Sequence, residues 1–496
     1  MIPGELLSRL DIVDATSSEL NSGNRLMPNR WDYRALAADP ELVARLLTTT
    51  IRREDFGRPA GTILVDKGWR GTRPINELAL VDRVAYRAIV SSIAENLPDY
   101  LRSREPIGDF QQAPIEAEGT LYVSKTDVAS YYEFVDHELL ERELIAQTAD
   151  EPAIAMLFKL LRGVMGRRVG IPQVHKCSDI LGDVYIDPVR RRMLRAGYQT
   201  FSYSDDFRIS SPSLGDARKA LERCAEEVRR LGLVLNERKT YTYSLEKYEN
   251  SIGSFARAER ELFEGNGGIS LLDLDSGHYR DDTLDDAEMR LSDIPVVGEL
   301  DSDEVMNEPD DSASEVDNDS NSPQAHAARR AWQLWIEEDE TEDAQAGSDA
   351  AITQILVERS LQRLGMIGDE GPLVNLSLLL RYEPALTPQI SSYLRFFAVH
   401  GTANRVKVRD ALDEITSEGV LSTWQSLWIA ETAGAIRKSR RRRGHYDWLE
   451  KCIESPHSGL AATAAAAVSR IGIGDAAGIA QATERITGEW RLILAA

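Results

Sequence analysis

The stretch Gln199-Thr200-Phe201-Ser202-Tyr203-Ser204-Asp205-Asp206-Phe207-Arg208-Ile209-Ser210 reads as two short strands, Gln199–Ser202 and Phe207–Ser210, joined by the tip Tyr203-Ser204-Asp205-Asp206. An isolated Asp-Asp at a hairpin tip is ordinarily a turn and nothing more. A second acid changes that reading. Asp127, in Thr126-Asp127-Val128-Ala129-Ser130-Tyr131-Tyr132, directly follows the strand-like Leu121–Thr126. Alone, it would be a helix cap or a loop residue. A strand end carrying Asp127 beside a hairpin tip carrying Asp205 and Asp206 would gather three carboxylates. Hard oxygen donors at that density suit Mg²⁺, which prefers a few carboxylates plus substrate phosphates. Two such ions can activate an attacking hydroxyl and stabilise a leaving pyrophosphate. A third element, Gly170-Ile171-Pro172-Gln173, lies about midway between the acids.

The surroundings alternate strand and helix signals over residues 120–250. A helix is expected over 136–147. Another is expected over 213–231, with Ser213 as N-cap, Ala217, Leu221, Cys224, Val228 and Leu231 on one face, and Gly232 at the left-handed C-terminal position. Upstream, Val81–Ile93 has helical spacing. From about residue 350 the pattern is helical with short breaks: 351–364, 371–381, 387–400, 403–417, 421–437, 446–453, 458–471 and 474–486. Helix pairs in series point to an α-solenoid or an irregular bundle.

The chain has 496 residues and a net charge of −23. Residues 281–350 hold 23 acidic residues against three arginines (Arg290, Arg329, Arg330), so this stretch carries nearly all of the excess. The acidity is local, and it does not exclude nucleic-acid binding by the rest. No run of about 18 apolar residues predicts a membrane span. The start of the chain lacks a signal-peptide pattern, and Cys177, Cys224 and Cys452 are odd in number and far apart. A cytoplasmic protein without disulfides is expected. The histidines show no zinc spacing.

In order and flanks, Asp127 with its two following tyrosines, Gly170-Ile171-Pro172-Gln173 followed by Ser178, Tyr203-Ser204-Asp205-Asp206, and Leu231-Gly232-Leu233-Val234-Leu235-Asn236-Glu237-Arg238-Lys239-Thr240 resemble the successive palm motifs of bacterial reverse transcriptases. Arg73-Pro74-Ile75 followed by Asp82-Arg83 resembles the fingers motifs of group II intron-like and retron-like enzymes. The resemblance covers about residues 50–255. It implies an α+β fold with right-hand fingers and palm, and the helical pattern from about residue 350 predicts an all-α helical-repeat domain after it. The expected divisions are an N-terminal helical segment over 1–50, fingers over 51–118, palm over 119–250, a thumb-like remnant over 251–284, an acidic disordered linker over 285–349, and the helical domain over 350–496.

The resemblance also implies roles. Asp127, Val128, Asp205 and Asp206 would form the site of two Mg²⁺ ions, with Mn²⁺ as a substitute. Asp127, Asp205, Asp206 and Lys239 would be catalytic, Lys239 as a proton donor near the pyrophosphate. Arg73, Lys67, Tyr132 and Gln173 would bind the nucleotide, Arg73 through its forked donors. Tyr132 takes the position of an aromatic gate against a 2′-OH, which implies dNTP use and DNA synthesis. Two departures stand out: relatives mostly have Gln-Gly then Ser-Pro, and here Gln173 is followed by Val174 and Ser178 by Asp179. A Val in place of Gly is expected to block close backbone approach.

A reverse-transcriptase half fused to helical repeats resembles the defence-associated, abortive-infection type. That likeness implies antiphage defence and DNA synthesis that is protein-primed, untemplated or templated by a non-coding RNA, with homo-oligomers among relatives. The alternatives are an RNA-templated enzyme of a retroelement and an inactive RNA-binding scaffold. Arg437, Lys438, Arg440, Arg441, Arg442 and Arg443 form the densest basic run, a candidate contact for RNA or product.

Overall fold

The computed structural model describes residues 4–21, 26–28, 31–67, 71–104, 106–252, 322–339, 357–358, 360–417, 421–436 and 443–473. These are mostly helical, with two small antiparallel sheets. Helices α1 (Gly4–Arg9), α2 (Ile12–Asn21), α3 (Trp31–Leu36) and α4 (Pro40–Arg52) come first among the described residues. Asp39 starts α4 by accepting from the Leu42 amide, with Pro40 at the first helical position. A hairpin of β1 (Gly61–Asp66) and β2 (Thr72–Glu77) follows, in the register Val65↔Arg73. Next come α5 (Leu80–Ala94), α6 (Asp99–Arg102) and α7 (Ile107–Glu116).

The larger sheet has the order β4-β5-β3-β6, built from β3 (Tyr122–Asp127), β4 (Gln199–Tyr203), β5 (Asp206–Ser211) and β6 (Tyr241–Ser244). Between β3 and β4 lie α8 (His137–Thr148), α9 (Glu151–Met165) and α10 (Lys176–Arg195); α11 (Leu214–Arg230) follows β5. Asp136 caps α8 by accepting from the Glu138 and Leu139 amides. Ser213 caps α11 as predicted, accepting from the Asp216 amide, and Gly232 takes a left-handed conformation behind it. The buried face of α11 is Ala217, Ala220, Cys224, Glu227 and Val228. Glu227 is tolerated there because Arg192 reaches it at 3.1 Å, with Arg223 and Arg230 also paired to it. Helices α10 and α11 pack on this sheet and on each other. Gly163 of α9 lies against the Gly57 carbonyl so closely that a β-carbon would overlap it.

The stretch expected as an acidic linker needs a correction. Residues Pro323–Asp339 form helix α12, with Ala325, Ala328, Ala331 and Trp332 buried. The Ala-Ala-Arg-Arg-Ala-Trp segment carries its own apolar face, which the charge of the neighbouring residues obscures. Arg329 of α12 pairs with Asp369 at 2.6 Å. The rest of that linker, the thumb-like remnant beyond residue 252, and the helix expected over 474–486 lie outside the described residues. Helices α13 (Leu376–Tyr382), α14 (Thr387–Val399), α15 (Thr402–Ser417), α16 (Thr423–Ala435), α17 (Gly444–Cys452) and α18 (Ser458–Ile471) then follow, close to the predicted spans. A capping box of Ser422 and Gln425 starts α16.

Two apolar cores result. One joins α1–α5 to the palm helices and the underside of the sheet. The other joins α12–α18 to Ile63, Val65 and Ile75, the inward residues of the β1–β2 hairpin. A two-stranded hairpin has no core of its own, and this one completes its burial in the helical region. Further ties are the Trp424 indole N–H donating to the Leu26 carbonyl at 2.5 Å and an Arg34–Glu431 ion pair with Glu431 fully buried. No helix among the described residues is long and apolar enough to cross a membrane.

Candidate active site

The three acids predicted from sequence meet at the end of the larger sheet. In the β3–β5 register Asp127 stands opposite Asp206. β4 and β5 pair Tyr203 with Asp206, so Ser204 and Asp205 form a two-residue loop. Ser204 has φ +50°, the left-handed conformation that such loops need at their first position. The Val128 amide donates to the Asp205 carbonyl at 3.2 Å, which ties the two acidic segments together at the backbone. The segment after α11 lies alongside: Ala129 N donates to Val234 O at 2.9 Å and Asn236 N to Asp127 O at 2.8 Å.

The turn Glu237–Lys239 at the end of that segment brings in Lys239. Its Nζ lies 2.6 Å from Asp127 Oδ2. The placement follows from β6, which pairs with β3, and from Thr240 Oγ1, 2.7 Å from Thr126 Oγ1. Burial raises the Asp127 pKa, as does the Asp206 charge; Lys239 and Lys67 oppose the rise. Asp205 is pushed up to about 7, by burial first and then by the charges of Asp206 and Asp127. Three carboxylates crowded in this way repel one another and favour a cation. Among the described residues no group of three acidic, histidine or cysteine side chains is placed to hold a metal ion, so the expected three-carboxylate cluster is not assembled as a ligand set here. The donor set still fits Mg²⁺, which keeps waters and substrate phosphates in its shell and needs only one or two carboxylates.

Sequence reasoning missed Arg208. It is buried on β5, its Nη1 lies 3.4 Å from Asp206 Oδ1, and its guanidinium sits 4.9 Å from the centre of the Phe110 ring. An arginine in a wholly buried strand is the available signal, because a buried charge needs a partner.

The remaining predicted residues distribute around the acids. Tyr132 lies on a short helical turn, with Tyr131 packed edge-on at 5.4 Å. Burial, and next the Asp179 charge, raise the Tyr132 hydroxyl pKa well above the ordinary value. Lys67 is near enough to act electrostatically on Asp127. Arg73 sits on β2 opposite Val65. Gln173 reaches Glu133 instead of the acids, its Nε2 donating to Oε1 at 3.2 Å. Arg437, Lys438, Arg440, Arg441 and Arg442 lie outside the described residues. Arg443 is held by Asp410 at 2.7 Å and Asp413 at 3.2 Å.

The loop from Gly170 leads into the first turn of α10, which contains both Ser178 and Asp179. Gly170 has φ +92°, and a β-carbon there would press on the Glu133 carbonyl. Val174 has φ +67°, so it adopts the left-handed conformation that a glycine takes without strain. Ser178 is buried; its hydroxyl contacts the Pro172 carbonyl and lies 2.8 Å from the Tyr86 hydroxyl.

Residues 65–263 match the family model described as reverse transcriptase (RNA-dependent DNA polymerase). This segment contains the β3–β6 sheet, the three acids and Lys239. The chain therefore carries an RNA-directed DNA polymerase domain, a class whose substrates are nucleic acid and dNTPs. No curated protein matches the chain.

Proposed function

We propose that the protein synthesises DNA by transferring deoxynucleotides from dNTPs to a hydroxyl primer, with release of pyrophosphate. The observation that carries this reading is the opposition of Asp127 and Asp206, with Asp205 in the loop between β4 and β5. Asp127, Asp205 and Asp206, with the backbone at Val128, would hold two Mg²⁺ ions. When bound, these ions supply activation of the primer hydroxyl and charge stabilisation of the leaving group. Arg208 keeps Asp206 oriented and offsets the repulsion among the acids. Lys67 and Arg73 bind the triphosphate from the hairpin side. Lys239, released from Asp127, donates a proton toward the departing pyrophosphate. Tyr132 excludes a ribose 2′-OH.

The biological role we propose is antiphage defence of the abortive-infection type, with the helical C-terminal region as a fixed part of the enzyme. The shared core between that region and the β1–β2 hairpin supports the fixed attachment, and the defence role rests on the likeness of a reverse-transcriptase half joined to a helical region. A retroelement enzyme copying RNA is the second reading, favoured by the glycine-like backbone that Val174 preserves beside Gln173. Under either reading the Arg437–Arg442 run serves phosphate binding.

The deciding experiment supplies purified protein with single dNTPs, with and without added template and primer, alongside Asp205→Ala/Asp206→Ala. Protein-attached products made without template support the defence reading. Strict dependence on added template supports the retroelement reading. Incorporation retained by the double variant would overturn the polymerase assignment.

A further inference from the structure

Tyr132 is hydrogen-bonded at its hydroxyl by a residue that the palm resemblance does not provide. The Tyr132 O–H donates to Asp179 Oδ1 at 2.7 Å, and the Ser204 hydroxyl lies on its other side at 3.4 Å. Asp179 supplies a carboxylate acceptor at this point. It lies in the first turn of α10, its amide bonded to the His175 carbonyl at 3.2 Å, so its backbone is fixed by a helix. Arg104 touches the same residue at its backbone and approaches its carboxylate. Arg104 Nη2 donates to the Asp179 carbonyl at 3.1 Å, and Nη1 lies 3.8 Å from Oδ1. Arg104 is itself held by two bonds to Asp183, at 2.7 and 3.0 Å.

The ring is confined on its remaining sides. A β-carbon at Gly182 would lie 3.8 Å from the Tyr132 ring and 3.2 Å from that of Tyr131, so α10 approaches both tyrosines through its glycine. The Tyr131 hydroxyl donates to the Gly182 carbonyl at 2.5 Å, which holds the neighbouring ring in place. A side chain excludes a substrate group only to the extent that it resists being pushed aside. A free tyrosine can move by rotating about two bonds. A tyrosine bonded through its hydroxyl to a carboxylate on a rigid helix must first break a charge-assisted hydrogen bond.

We propose that Asp179 is a specificity-determining positioning residue, which holds the Tyr132 ring against displacement and thereby sets the preference for deoxyribonucleotides over ribonucleotides. The inference rests on the reading of Tyr132 as the residue facing the sugar. Arg104 serves the same end one step further out, by holding Asp179.

The test measures kcat/KM for dATP and for ATP on an oligonucleotide-primed template. The proteins compared are the unaltered chain, Asp179→Ala, Asp179→Asn, Tyr132→Phe, Tyr132→Ala and the double variant Asp179→Ala/Tyr132→Phe. The same ratio is read at equilibrium by calorimetric titration of dATP and ATP in Ca²⁺, which needs no turnover. Asp179→Ala and Tyr132→Phe are each expected to lower the dATP preference about tenfold, the factor for loss of one hydrogen bond of this kind. The double variant is expected to lose no more than either, because both remove one bond. Asp179→Asn keeps an acceptor and is expected to restore most of the preference. Full additivity in the double variant, or an unchanged preference in Asp179→Ala, overturns the inference. If Tyr132→Ala also leaves the preference unchanged, the sugar-facing reading of Tyr132 fails. If Tyr132→Ala lowers it while Asp179→Ala does not, only the role of Asp179 fails.

Discussion

Asp127 and Asp206 stand directly opposite each other across the β3–β5 pair, and each is answered by a different cation: Lys239 at 2.6 Å for Asp127, and Arg208 at 3.4 Å for Asp206. The two pairs differ in kind. Lys239 ends the short helical turn Glu237–Lys239 and stays partly exposed, whereas Arg208 is buried in the strand. Lys239 can leave its partner when a nucleotide arrives; Arg208 cannot leave without unpacking the sheet.

Loss of a single acid should therefore separate chemistry from folding. Asp127→Asn and Asp205→Asn are each expected to lower dNTP incorporation by about 10²-fold or more, the usual scale for removing one preorganised electrostatic contact. Circular dichroism and gel filtration should match the unaltered chain. Asp206→Asn is expected to be milder in chemistry than Asp205→Asn.

Under the proposed role of Lys239, Lys239→Met should remove a proton donor and, with it, the ion pair that Asp127 makes. A loss of about 10²-fold in kcat is expected, the lower end for general acid catalysis. Single-turnover measurements check the loss.

The hairpin's burial in the helical region predicts a stability effect across the two parts. Ile75→Ala removes a buried side chain from the shared core and is expected to cost about 2–5 kcal/mol. Because Arg73 sits on the same strand, KM for dNTPs should rise with it. Gly163→Ala, which overlaps the Gly57 carbonyl, is expected to cost about 1–3 kcal/mol. Urea denaturation measures both.

Asp205 gives a pH effect of definite sign. Its folded pKa of about 7 lies above the ordinary 3.8, so the folded protein holds this proton more tightly than the unfolded chain does. The stabilisation is complete below pH about 4 and is lost as pH rises toward 7. In EDTA, the melting temperature should fall between pH 5 and pH 8. Asp205→Asn, which cannot ionise, should flatten that slope; an unchanged slope would contradict the crowding of the three acids.

The acids are legible in the sequence because each sits at a feature with local causes. Tyr203–Asp206 is a polar tip between two alternating, strand-like runs, and Asp127 ends a strand. Ser213 and Gly232 bracket α11 by simple capping chemistry. The partners of these residues are not legible, because they depend on strand order. That β6 lies beside β3 decides where Lys239 falls, and nothing local to Asn236–Thr240 encodes that pairing. Asp179 reads only as a departure until its distance to Tyr132 is known. Helix α12 is missed because window charge averages over Ala325–Trp332, whose apolar face becomes apparent only against α13–α18.

The hairpin that belongs to two cores also limits how this protein can be dissected. Cutting the chain ahead of α12 would leave Ile63, Val65 and Ile75 as a bare apolar ribbon, open to pairing with another copy. A polymerase fragment ending near residue 252 should consequently be recovered in inclusion bodies, and co-expression with the separated helical half should return it to the soluble fraction.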